Sequence, residues 1–136
     1  MRVFVSSCRI DDIQASSLIQ RLASENFQVW CSPRNPHDGK DERWRDWYTK
    51  RCQDELDKVD IFIAVVNKNW AVSTWMLHEL YEARKRLKDG VIRNIYCFNP
   101  EHFKIDSINM EFHPPEQLPD EIDDVVKLLQ ANHKSE

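Results

Sequence analysis

The segment S-T-W-M-L-H-E-L, residues 73–80, sets a carboxylate four positions after a tryptophan. On a helix counted from Thr74, Trp75 and Glu79 share a face, with Leu80 and Ala83 on the adjoining apolar face. This spacing puts Glu79 at the edge of a core, a turn into the helix and beneath the loop that precedes it. A lone carboxylate is costly to bury. Held in a cleft beside Trp70 and Trp75, it can accept the hydroxyls of a ribose and stabilise positive charge at the anomeric carbon. Ser73 or Thr74 can cap the helix and bring backbone N–H groups close. The alternative is a surface glutamate, favoured by the helix dipole and paired with Lys85 or Arg43.

The elements that must position Glu79 are legible as alternating strands and helices. R-V-F-V-S (Arg2–Ser6) reads as a buried strand. A helix follows from Asp11 or Asp12 as N-cap, with Ile13, Leu18, Ile19 and Leu22 at helical spacing. F-Q-V-W-C (Phe27–Cys31) is a second strand, ended by Pro33 and Pro36. The polar stretch 32–42 is long for an α/β connection, and a helix over Glu42–Lys58 carries Trp44, Trp47, Tyr48, Cys52 and Leu56. Trp44 and Trp47 suit helix packing better than base stacking.

D-I-F-I-A-V-V (Asp60–Val66) is apolar on both faces, as a parallel strand covered by helices must be. The helix bearing Glu79 ends near Gly90, a suitable C′ glycine, and Val91–Phe98 is a fourth strand. Residues 107–112 suit a short edge strand, and 119–130 a closing helix with proline at its start. The alternation implies an α/β fold, a central parallel sheet of four to five strands flanked by helices. In such sheets ligands bind outside the carboxyl ends of the strands. The segments S-S-C-R-I-D-D, C-S-P-R-N-P and N-K-N-W-A-V-S-T-W leave those ends and hold most of the reactive residues.

Composition narrows the chemistry. With 41% hydrophobic and 31% charged residues in 136, the chain is long enough for one globular core. Two glycines exclude glycine-rich phosphate loops. The net charge of −4 makes R-K-R-L-K at 84–88 a helix end rather than a nucleic-acid site. Cys8, Cys31, Cys52 and Cys97 show no zinc spacing. Cys8 and Cys31 fall near neighbouring strand ends, where a disulfide is geometrically open, although free thiols are the stronger reading. His37 and His78 read as solvated, and no metal site is expected. No signal peptide or membrane-spanning run is visible, so a reducing, cytoplasmic setting is expected.

Three stretches also carry a resemblance. F-V-S-S-C-R-I-D-D near the start resembles the first box of the Toll/interleukin-1 receptor (TIR) domain family. F-Q-V-W-C with the polar loop, Gly39 and Trp44 is similar to that family's second strand and BB loop. I-F-I-A-V-V-N-K-N-W-A-V-S-T-W-M-L-H-E-L resembles its strand, loop and S-x-W-x-x-x-E helix. Ser7, Ser32 and Asn67 stand where the family often has an aromatic residue or histidine, an acidic residue and a serine. The resemblance spans about residues 2–98.

The resemblance implies a flavodoxin-like five-stranded sheet, in a single TIR-like domain over 1–136, alone or as the N-terminal domain of a longer protein with a sensor or effector region. It implies an NAD⁺ glycohydrolase or cyclase that breaks the nicotinamide–ribose bond, with NAD⁺ as substrate and no cofactor. Glu79 would be catalytic, with Trp75 positioning beside it. Ser6, Ser7 and Arg9 would face the nicotinamide, and Ser32, Trp70 and Ser73 would complete the substrate contacts. The 32–44 loop, with Arg34, Asp38, Gly39 and Trp44, would be a lid and contact surface. Self-association through TIR–TIR contacts would activate it, and antiphage defence in bacteria is the expected setting. A non-catalytic TIR–TIR scaffold is the main rival. A nucleoside deoxyribosyltransferase-like enzyme ranks last, because its first-strand pattern is not visible.

Overall fold

The computed structural model describes residues 1–7, 13–31, 42–66, 74–103 and 116–133, with the backbone alone for 42–48 and for Thr74 and Trp75. Strand β1 (Arg2–Ser6) is buried along its last four residues. Helix α1 (Ile13–Ser24) turns Ala15, Leu18 and Leu22 inward. It ends at Asn26, whose φ of 68° is left-handed. Phe27 N–H donates to Leu22 O at 3.1 Å and Asn26 N–H to Ala23 O at 3.3 Å, the paired bonds of a Schellman end. Strand β2 is therefore Gln28–Cys31, one residue shorter than the apolar run suggests, because Phe27 belongs to that cap.

Helix α2 (Glu42–Leu56) leads to β3 (Ile61–Val65), every residue of which is buried. Helix α3 (Thr74–Lys88) closes on Gly90, φ 81°, with Val91 N–H donating to Arg86 O at 2.9 Å and Gly90 N–H to Leu87 O at 3.2 Å. Val91 and Ile92, expected in a strand, are taken by this cap, and Arg93, whose N–H donates to Asp60 O at 2.8 Å, leads into β4, which is Asn94–Phe98. Strand β5 is the exposed pair Glu116–Gln117, and the expected edge strand over 107–112 lies outside the described residues. Helix α4 (Ile122–Asn132) begins after Glu121 with Asp123 and Asp124 in its first turn, so Pro119 precedes the helix rather than starting it.

The sheet order is β2-β1-β3-β4-β5 and every pairing is parallel. Alternation along the strands sends Phe4, Phe62, Ala64, Ile95 and Cys97 to one face, against Cys52 and Leu56 of α2 and Met76, Leu80 and Ala83 of α3. Val3, Val5, Ile61, Ile63, Val65, Tyr96 and Phe98 go to the other, against α1 and α4. The result is a three-layer flavodoxin-like α/β fold. The order reverses between β1 and β3, so the crevice at their carboxyl ends is the topological switch point of the sheet. Among the described residues no helix is long and apolar enough to cross a membrane.

Candidate active site

Three side chains, those of Ser6, Met76 and Glu79, meet at that crevice. Ser6 is the last residue of β1 and is fully buried, and Ser7, which follows it, is 1% exposed. Helix α3 crosses the ends of β1 and β3 and brings Met76 and Glu79, three apart and so on one face, down onto them. The Ser6 hydroxyl lies 3.1 Å from Glu79 Oε1 and 3.3 Å from Met76 Sδ. Glu79 is 1% exposed, deeper than the core edge its spacing suggests. The surface alternative does not hold: Lys85 pairs instead with Glu82, at 3.4 Å.

Burial in this apolar setting raises the Glu79 carboxyl to about 8, with the Ser6 hydroxyl pulling the other way. At neutral pH the free protein thus holds it chiefly as the acid. Oε2 of Glu79 and Oγ of Ser7 are buried with no hydrogen-bond partner among the described residues. An orphaned buried oxygen costs about 1–3 kcal/mol, so each of these two atoms marks a place where a further polar group, from the chain or from a ligand, would be stabilised. The Ser6 hydroxyl serves both protonation states. It donates to a Glu79 carboxylate; when Glu79 is protonated, it can accept from the carboxyl and donate to Met76 Sδ.

Neighbouring groups show by contrast what is unusual here. Glu82, one turn on, is also buried, which pushes its acidity towards the neutral form, but Arg86 at 3.0 Å and Lys85 reverse this and hold it lowered. Glu82 is an ionised structural partner and Glu79 is not. Cys97 occupies the same sheet row as Ser6, through Ala64. Burial pushes its thiol up to about 11, so it is no nucleophile at neutral pH. No cluster of three or more metal-ligating side chains occurs among the described residues.

Of the residues singled out from sequence, the structure brings Ser6 and Glu79 into contact and buries Ser7, the next residue in the chain. Trp75 lies in α3 and Trp44 in α2, with side chains outside the description. Arg9, Ser32, Arg34, Asp38, Gly39, Trp70 and Ser73 lie outside the described residues. Met76 was not anticipated. The signal for it was its place three residues before Glu79, on the face that meets the sheet.

No protein-family model matches the chain, and no curated protein matches it in sequence. Solved structures share its fold. A 2-deoxyribosyltransferase from the psychrotolerant bacterium Bacillus psychrosaccharolyticus gives a TM-score of 0.63 at 15% identity, over 92% of this chain and 90% of that one. The Clostridium botulinum CMP N-glycosidase BcmB gives 0.55 at 18% identity, over 96% and 99%. The TIR domains of the activated Roq1 resistosome, which recognises the pathogen effector XopQ, give 0.54 at 17% identity, over 74% and 60%. At these identities the likeness is one of fold, and the TIR likeness is not unique.

Proposed function

We propose that the chain cleaves the N-glycosidic bond between a base and a ribose, with Glu79 facing the anomeric carbon, and that the substrate is NAD⁺. The observation that carries this reading is Glu79 itself: a buried carboxyl at the switch point, one oxygen on Ser6 and the other unpartnered among the described residues. The activities of two of the structural neighbours, deoxyribosyl transfer and CMP N-glycoside cleavage, support the bond class. The resemblance around Glu79 supports the substrate.

The chemistry suits this environment. A substrate whose leaving base is already cationic brings the positive charge that a buried carboxylate lacks, and its binding favours loss of the Glu79 proton. Nicotinamide then departs as a neutral base with the bonding electrons, so no acid is required. The carboxylate stabilises the oxocarbenium-like ribose in a site of low polarity. Attack by water at the anomeric carbon gives ADP-ribose, nicotinamide and a proton. Attack by the adenine of the same molecule gives a cyclic product. Self-association through the family's lid surface is part of the reading.

A second reading, a neutral nucleoside or nucleotide as substrate, is favoured by the near-complete mutual coverage with the deoxyribosyltransferase and with the CMP N-glycosidase. One experiment separates them. The protein at high concentration, with a crowding agent, is given NAD⁺, CMP or deoxyadenosine separately, and release of free base is followed for the wild type and Glu79→Gln. Release from NAD⁺ by the wild type alone supports the proposal, whereas release from CMP or deoxyadenosine alone favours the second reading. No release from any, with the protein demonstrably assembled, leaves a non-catalytic interaction module.

A further inference from the structure

A second cleft lies at the opposite end of the sheet. Its floor is Arg2, Gln28 and Trp30 on β1 and β2, and its wall is Arg51 and Glu55 of α2 with Lys58 and Val59 beyond it; it encloses ≈ 290 Å³. Arg2 and Ser6 are four strand positions apart, about 13 Å at the usual rise, so this cleft is not part of the Glu79 crevice.

Its lining concentrates positive charge on a chain whose net charge is −4. Glu55 is already paired with Arg51 at 3.1 Å. Arg2 directs Nε to Gln28 Oε1 at 3.1 Å, which fixes the guanidinium and leaves its terminal nitrogens available. Among the described residues neither the Arg2 nor the Lys58 side chain has a carboxylate within ion-pair distance. Among the described residues the carboxylate that meets Arg2 is that of Asp60, which accepts from its main-chain N–H at 3.0 Å. The carbonyl end of α2 points this way and disfavours an anion, so the cations must outweigh it. Trp30 is half-buried and fixed against Phe4, ring centroids 4.8 Å apart, and contributes aromatic surface to the cleft.

We propose that this cleft binds a nucleoside monophosphate, the phosphate on Arg2 and Lys58 and the base against the Trp30 indole. Cations with a neighbouring aromatic ring suit a ligand that is anionic at one end and planar at the other. The volume is near the lower limit of small-molecule sites, about 300 Å³, and so fits a mononucleotide better than a dinucleotide. The inference does not rest on the activity proposed for Glu79.

Calorimetric titration of the full chain with AMP, adenosine and inorganic phosphate tests it. AMP is expected to bind more tightly than either fragment, and about tenfold more weakly to Arg2→Gln or Lys58→Gln. Glu79→Gln is expected to leave AMP affinity unchanged. Both cations are exposed at the cleft rim, so these variants should fold, and circular dichroism checks that they do. Phosphate binding as tightly as AMP would reduce the site to a bare anion contact. Loss of AMP binding in Glu79→Gln, with Lys58→Gln unaffected, would place the mononucleotide in the other cleft. No heat at millimolar AMP overturns the proposal outright.

Discussion

Ser6 and Glu79, 73 positions apart in sequence, meet as hydroxyl and carboxyl at 3.1 Å across the end of the sheet. No other described residue donates a hydrogen bond to this carboxyl, and burial dominates its acidity. Ser6 is thus the contact through which the end of β1 bears on the Glu79 carboxyl.

Replacing Ser6 with alanine removes the one interaction among the described residues that lowers the Glu79 pKa. The acid limb of kcat/KM for NAD⁺, expected near pH 8 in the wild type, should move to higher pH. At pH 7 the rate should fall about tenfold, with recovery at alkaline pH. A uniform loss at every pH would mean that Ser6 acts on the substrate instead.

Met76→Leu keeps the volume and removes the sulfur that can receive the Ser6 proton when Glu79 is neutral. The neutral state loses support, so the same acid limb should shift to lower pH, by a few tenths of a unit given the weakness of a thioether acceptor. Opposite shifts in Ser6→Ala and Met76→Leu, measured on one substrate, would establish the relay.

Glu79→Gln should lower turnover by roughly 10²–10³ and alter stability in the opposite sense. Folded Glu79 titrates near 8 and unfolded glutamate near 4.5. Between those values the folded chain keeps a proton the unfolded chain has lost, so wild-type stability declines as pH rises and levels off above about 8. The variant should lack that decline and be more stable at pH 8, on the order of 2 kcal/mol. Urea melts at pH 5 and pH 8 measure the difference.

The end of α4 has a titration of its own. His133 Nε2 and the Tyr96 hydroxyl are 2.7 Å apart in a buried contact. Burial lowers the His133 pKa and Arg93 adds to this, while Asp60 and Glu116 oppose it. The unfolded chain therefore binds this proton more readily, so the stability present above pH 6.5 is lost as pH falls through the lower, folded value. Tyr96→Phe should cost about 1 kcal/mol, and hydrogen exchange in α4 should accelerate on acidification.

Gly90→Ala isolates backbone strain from packing. An added Cβ would meet nothing within 4 Å, yet φ is 81°. The substitution should destabilise by about 1–2 kcal/mol, read as a lowered melting midpoint with the fold unchanged.

The sheet was legible in sequence because its inner strands are uniformly apolar runs, and Asp60–Val66 contains all of β3. Errors fell where a cap competes with a strand. Val91 and Ile92 read as β-branched strand residues, but their N–H groups are taken by Arg86 O at the end of α3. Strand β5 gave no signal, since Glu116 and Gln117 are both exposed and carry no alternation. Glu79 stood out as a carboxylate on an apolar face. Its partner could not, because the pairing with Ser6 depends on how β1 and α3 are brought together and not on any local pattern.

The two margins of the sheet differ in kind. The β5 margin offers only a two-residue strand with an acid in it, poor ground for another strand to pair with. At the β2 margin Gln28 N–H points inward to Met1 O, so by alternation the main-chain N–H and C=O of Val29 turn outward. Among the described residues β2 is the one extensible border, and a two-fold pairing of β2 against β2 would use it up. Of the described strands none would then remain to extend the sheet beyond a pair, which leaves helices and loops as the surfaces for any longer array.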